Sequence, residues 1–268
     1  MFPRVLIDGL LISALSAHAL VSQTVSVPSD TLLASITARG RLLAAYDQAA
    51  WHGTDAVLAV IPESALAKVG NTMIGWQQPD GRWSVLFGRL TERADTLFVL
   101  YEAQPTNRPD SFVVSANDPP RARVGVERRA AVALRLASTD FGTPSRRYNA
   151  YVLPRTDGAF WVYFLPAQID GGEFPHGADV RYLVDSSALR IVEKHPMHRG
   201  LLNLALPDDA VAGMHTVLVD DVPQDSDVFL VLARRPRRHE LIGTAHYNYE
   251  IALDGSISWQ VADRGSPK

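Results

Sequence analysis

Tyr148-Asn149-Ala150-Tyr151-Val152-Leu153-Pro154-Arg155-Thr156-Asp157-Gly158-Ala159-Phe160-Trp161-Val162-Tyr163-Phe164 decides the fold. Tyr148, Ala150 and Val152 alternate before Pro154-Arg155-Thr156-Asp157-Gly158. Phe160, Val162 and Phe164 alternate after it, with Trp161 and Tyr163 on the opposite face. Period-two patterning on both sides of an Asp-Gly turn predicts a β-hairpin, because glycine accepts the positive φ that such turns require. The pattern recurs outward. Trp83, Val85 and Phe87 alternate, as do Leu97, Val99 and Tyr101. Asp185-Ser186-Ser187 separates Val180–Val184 from Leu189–Val192, and Asp254-Gly255 separates Tyr247–Ile251 from Ile257-Ser258-Trp259. Four hairpins are expected, and with them a largely antiparallel, sheet-rich chain.

Helical periodicity interrupts the strands in four places. Ser29 or Asp30 caps an expected helix carrying Leu32, Leu33, Ile36, Leu43, Tyr46 and Ala50, which should end near Trp51-His52-Gly53. Pro62-Glu63 opens a short second helix that stops at Gly70. Residues 121–138 are expected to form a surface helix, with basic residues between Val124, Val126, Ala130, Val132, Ala133 and Leu136. A short helix is expected over 225–233, capped by Asp225 or Ser226. The fold class is therefore α+β: antiparallel hairpins with an N-terminal helical portion and a short late helix. The organisation reads as 1–19 signal peptide, 20–104 helix plus hairpin region, 105–120 Pro-rich linker or loop, and 121–262 mixed region, forming one domain with the preceding part or a second one.

The signal peptide rests on Arg4, the apolar run Gly9–Leu15 and the small-x-small Ala17-His18-Ala19, which imply export to the periplasm or beyond. The apolar run is shorter than the ~20 residues of a membrane span. With 26 Lys+Arg, 29 Asp+Glu and a net charge of −3, the chain lacks the basic balance of a nucleic-acid binder. It contains no cysteine, which excludes disulfides, thiolate metal sites and cysteine nucleophiles. No G-x-S-x-G elbow, phosphate-binding loop or dinucleotide fingerprint occurs. His239-Glu240-Leu241-Ile242-Gly243 begins like a zincin helix but places Gly where the second His must stand, and reads as the start of a strand with surface charge.

Residues 193–227 are dense in ligand types: Glu193, His195, His198, His215, Asp220, Asp221, Asp225 and Asp227. Imidazole with carboxylate suits Zn²⁺ or another borderline divalent ion. The same residues also read as a solvated loop leading into a capped helix. Arg234-Arg235-Pro236-Arg237-Arg238 reads as an exposed connection after a helix, and Trp76, Trp83, Trp161 and Tyr163 as core.

Met214-His215-Thr216-Val217, followed by Pro223-Gln224-Asp225-Ser226-Asp227, resembles the JAB/MPN metallopeptidase motif over about fourteen residues. The resemblance implies His215 and Asp227 as metal ligands and Ser226 as an oxyanion partner. Val217 stands where the family has its second His, so Asp225 or His198 would substitute; Glu173 and Glu193 are the alternatives for the upstream Glu. Gly81–Gly88 and His215–Leu230 also resemble a group of exported bacterial proteins without an assigned function, which implies secretion and one mixed fold but no activity. Two functions follow. The first is a non-catalytic binding or accessory protein, without a cofactor, for a small molecule or protein. The second is a zinc-dependent hydrolase with an altered JAB/MPN-like site at His215, Asp227, Asp225 and His198.

Overall fold

The computed structural model describes residues 27–62, 69–108, 110–169, 174–202, 207 and 209–263. The signal-peptide reading, most of the helix expected over 62–70, and Glu173 lie outside the described residues. The element order is α1 (Asp30–Val60), β1 (Thr72–Gln77), β2 (Trp83–Leu90), β3 (Leu97–Pro105), β4 (Phe112–Arg123), α2 (Val126–Phe141), β5 (Tyr148–Pro154), β6 (Phe160–Pro166), β7 (His176–Gly177), β8 (Val180–Val184), β9 (Ile191–Pro196), β10 (Leu201–Leu202), β11 (Ala212–Thr216), α3 (Asp225–Ala233), β12 (His239–Gly243), β13 (Tyr247–Ile251) and β14 (Ile257–Val261).

Among the described residues three four-stranded sheets form, ordered β1-β2-β3-β4, β5-β6-β8-β9 and β11-β12-β13-β14, with a small β7–β10 ribbon. All pairings are antiparallel except β11 with β12, which run parallel and are joined across α3. This confirms the α+β reading and all four hairpins. Gly158 and Gly255 hold φ of +83° and +84° at their turns, as the hairpin chemistry requires.

The long first helix ties the sheets together. The Ser29 hydroxyl accepts the Leu32 N–H at 3.2 Å and fixes its start. The buried Leu33 and Ile36 of its first half join Val228 and Val231 of α3 and Tyr249 and Ile251 of β13 in one apolar cluster. Its second half places Leu43, Tyr46, Ala50 and Val57 against Val85, Ala103, Tyr151 and Tyr163 of the first two sheets. A third cluster packs Ala130, Ala133 and Ala137 of α2 on Val99, Val162 and Tyr182. The helix runs past Gly53, where the sequence suggests a stop. Gly53 is a contact residue: a Cβ there would stand 2.8 Å from Val85 Cγ2, so the missing side chain admits β2 rather than ending the helix.

The Pro-rich stretch 105–120, read as linker or loop, is mostly strand, with the short β3–β4 turn inside it. It completes β3 and forms most of β4, the edge strand of its sheet, where prolines without N–H groups are tolerated. The ladder shifts register between Val99 and Tyr101, and the residues about Pro119 and Pro120 fall in that irregularity. No helix among the described residues is long and apolar enough to cross a membrane.

Candidate metal centre

Asp227 occupies the third position of α3. Its Oδ2 accepts the backbone N–H of Gln224, the actual helix cap, at 2.6 Å, in a capping box where Asp225 or Ser226 is expected from the sequence. That bond turns Oδ1 inward. Three imidazoles meet it there: Nε2 of His176 at 2.8 Å, of His215 at 3.0 Å and of His198 at 3.1 Å. The ligand atoms of these four residues all lie within 4.8 Å of one another. The imidazole side chains are 3% exposed and the carboxylate 0%.

Each histidine is delivered by backbone geometry. Gly177 has φ +79°, and any Cβ there would strike the Gly200 carbonyl; the Ala178 N–H donates to that carbonyl at 2.9 Å. This tight ribbon aims His176 inward. The buried Met197, whose N–H donates to the Asp179 carbonyl at 3.0 Å, holds the turn that presents His198. His215 lies on β11, in register with Ile242 of the parallel strand β12.

A second layer orients the rings. His198 Nδ1 lies 2.8 Å from Asp179 Oδ1, and His215 Nδ1 lies 2.9 Å from Glu240 Oε1. Carboxylates accept only, so these Nδ1 atoms carry the protons and leave Nε2 as bare lone pairs in the neutral rings. Glu240 Oε2 in turn meets Arg234 Nη1 at 2.7 Å, and Arg234 Nη2 donates to the carbonyls of Arg238 and His239 at 2.7 and 2.9 Å. The reading of Glu240 as surface charge and of the arginine run as wholly exposed is thereby corrected: Glu240, Arg234 and Arg238 are buried.

The electrostatics call for a cation. Among the described residues, Arg234 on Glu240 is the one guanidinium ion-paired with the carboxylates Asp227, Asp179 and Glu240, so neutral imidazoles leave two negative charges in a buried space. A divalent ion cancels them. Without an ion, protons must serve. Burial drives the imidazolium pKa down, yet the surrounding Asp227, Asp179 and Glu240 overcome it and raise His198 to about 10 and His215 to about 9. At His176 burial prevails over Asp227 and the pKa falls. Burial would raise Asp227, but His198, His176 and His215 hold it well below the usual carboxylate range. Among the described residues His198 Nε2 has no well-directed hydrogen-bond partner despite its burial, although Asp227 Oδ1 is 3.1 Å away. A lone pair aimed at an anion without a hydrogen bond fits a cation placed between them. Two ligands at ~2.0–2.1 Å from a tetrahedral zinc stand about 3.3 Å apart, so the three Asp227–imidazole distances need open by no more than about half an ångström.

Of the sequence candidates, His215, Asp227 and His198 therefore converge. Asp225 does not join them. It is fully buried on the other side of α3, where Oδ2 accepts from Tyr163 at 2.9 Å, Arg39 Nε at 2.9 Å and Arg181 Nη1 at 2.9 Å, and Oδ1 meets Arg39 Nη2 at 2.8 Å. Two residues along a helix point about 200° apart, so adjacent carboxylates of α3 serve different clusters. Ser226 is buried with Oγ 3.8 Å from Met197 Sδ, and its side chain helps to hold the Asp179 carboxyl pKa down rather than lining an open site. Glu193 is exposed on β9, and His195 turns to Asp220 at 3.0 Å. His176 was missed because it sits outside the dense 193–227 segment. The chance to find it lay in His176-Gly177, an imidazole beside a turn glycine.

Four protein ligands, all buried, match the closed coordination of a structural zinc rather than the open position of a hydrolytic one. No protein-family model, no curated protein and no solved structure matches this chain.

Proposed function

We propose that this protein is an exported, non-catalytic binding protein whose C-terminal half is closed around one zinc ion, held by His176, His198, His215 and Asp227. The observation that carries the reading is the convergence of three Nε2 atoms on one oxygen of Asp227, with Asp179 and Glu240 behind two of the rings. Three imidazoles with one carboxylate suit zinc over magnesium or calcium, which prefer all-oxygen shells. The ion would join the β7 ribbon, the turn after β9, β11 and α3.

Metal analysis of protein purified from its native host tests this. One zinc per chain is expected, lost in H176A and D227N, and cobalt substitution should give the intense visible bands of a tetrahedral site. Absence of metal after refolding with zinc would overturn the reading. A five-coordinate cobalt spectrum together with peptidase activity would favour the metal-dependent hydrolase instead.

A further inference from the structure

A second site lies away from the histidines. Between α1, α2 and β5 is a cavity of about 770 Å³, within the ordinary range for small-molecule sites. Its wall is aromatic, with Trp51, Tyr148, Tyr151, Phe174 and Phe229 all contributing. Asp47 stands among them. Its Oδ1 accepts the Tyr151 hydroxyl at 2.7 Å, and no cationic side chain pairs with it among the described residues. Burial raises the Asp47 carboxyl pKa, with the Tyr151 hydrogen bond opposing. A partly desolvated carboxylate is costly unless a cation meets it, and aromatic faces attract cations as well. Asp55 adds a second carboxylate to the lining against the lone Arg135, so the cavity is net negative.

We propose that this cavity binds a small organic cation, its ammonium on Asp47 and its apolar or aromatic body against Phe174 and Phe229. Among the described residues of the lining, an anion finds only Arg135, which is exposed on α2. The site stands on different residues from the metal centre, so either reading can fail alone.

Calorimetric titration of the protein as purified, with 2-phenylethylammonium as the probe and 3-phenylpropionate as the anionic comparator, tests it. Saturable binding of the amine in the millimolar range or tighter is expected, with none of the carboxylate. Asp47→Asn should weaken the amine at least about tenfold, as loss of one charge-assisted contact does. Circular dichroism establishes that this variant is folded. If it is not, Trp51→Ala, at an exposed position, supplies the second variant and should also weaken binding. Equal binding of the two probes, undiminished amine binding in a folded Asp47→Asn, or no amine binding to the folded parent protein would overturn the proposal.

Discussion

Glu240→Gln separates the electrostatic account of the metal centre from a purely steric one. The substitution keeps size and shape, and one amide oxygen can still accept from His215 Nδ1. It removes the charge that faces Arg234 Nη1 at 2.7 Å, where the two side chains are 7% and 0% exposed. Removing one partner of a buried pair costs roughly 3–5 kcal/mol, because the remaining charge stays desolvated. The bonds from Arg234 Nη2 to the Arg238 and His239 carbonyls survive and favour the low end of that range. In a chain of this size a loss of ~3 kcal/mol lowers the melting temperature by about 6–12 °C. The carboxylate behind a ligating imidazole contributes a further ~10–100-fold in metal affinity, or about 1.4–2.7 kcal/mol. Thermal melts in chelator report the first effect, and competition for zinc with a chromophoric chelator reports the second. Adding Arg234→Met to Glu240→Gln should restore much of the stability, since the orphaned guanidinium is gone, while zinc affinity stays low. A single variant that melts within ~2 °C of the parent in chelator and holds zinc equally well would refute the reasoning.

Three other outcomes follow from the geometry. Gly158→Val and Gly255→Val should each cost on the order of 1–3 kcal/mol in thermal unfolding, because both glycines sit at positive φ. Gly255 should be the worse, since a Cβ there also approaches Val228 Cγ1 at 3.0 Å; equal or unchanged midpoints would refute the turn assignments. In chelator, stability should decline as pH rises from near neutrality through about 9–10, because the raised pKa values of His215 and His198 stabilise only while their protons remain. It should also fall in acid, as the depressed Asp227 and Asp179 protonate. Zinc needs the deprotonated rings, so the zinc-supplemented protein should not share the alkaline decline; parallel pH profiles would contradict the site. Asp225→Ala should cost ~3–5 kcal/mol by unpairing Arg39 and Arg181, yet leave zinc content unchanged. Loss of zinc from a folded Asp225→Ala would return Asp225 to the ligand set.

The hairpins were legible because alternation and Asp-Gly turns act over a few residues. The long helix was legible in its beginning, fixed by Ser29, but not in its end, since Gly53 answers to β2, a distant strand. The edge-strand prolines misled for the same reason: whether Pro119 is tolerated depends on a ladder that only the assembled sheet defines. At the centre, His215 and Asp227 could be paired because a strand and the next helix start bring them together locally. His176 and Glu240 could not. One is positioned by a ribbon with Gly200, the other by a parallel strand pairing across α3, and neither leaves a nearby spacing. The burial of Arg234 follows from Glu240 and was hidden with it.

The first helix is made first and buried last. Thr37 donates to the Gly255 carbonyl across 218 residues of sequence, Arg41 reaches Asp254 across 213, and Arg39 reaches Asp225 across 186. Until α3 and the last hairpin exist, Leu33 and Ile36 lack the Val228, Val231, Tyr249 and Ile251 side chains that cover them. A nascent chain therefore carries a sticky amphipathic rod from the outset, and the long-range closures that retire it slow the final step. Loss of the last strands, from Tyr247 onward, would remove Tyr247, Tyr249 and Ile251 from the cover of that rod and leave it partly exposed. Truncated products should then be recovered as aggregates or protease substrates rather than as smaller folded proteins.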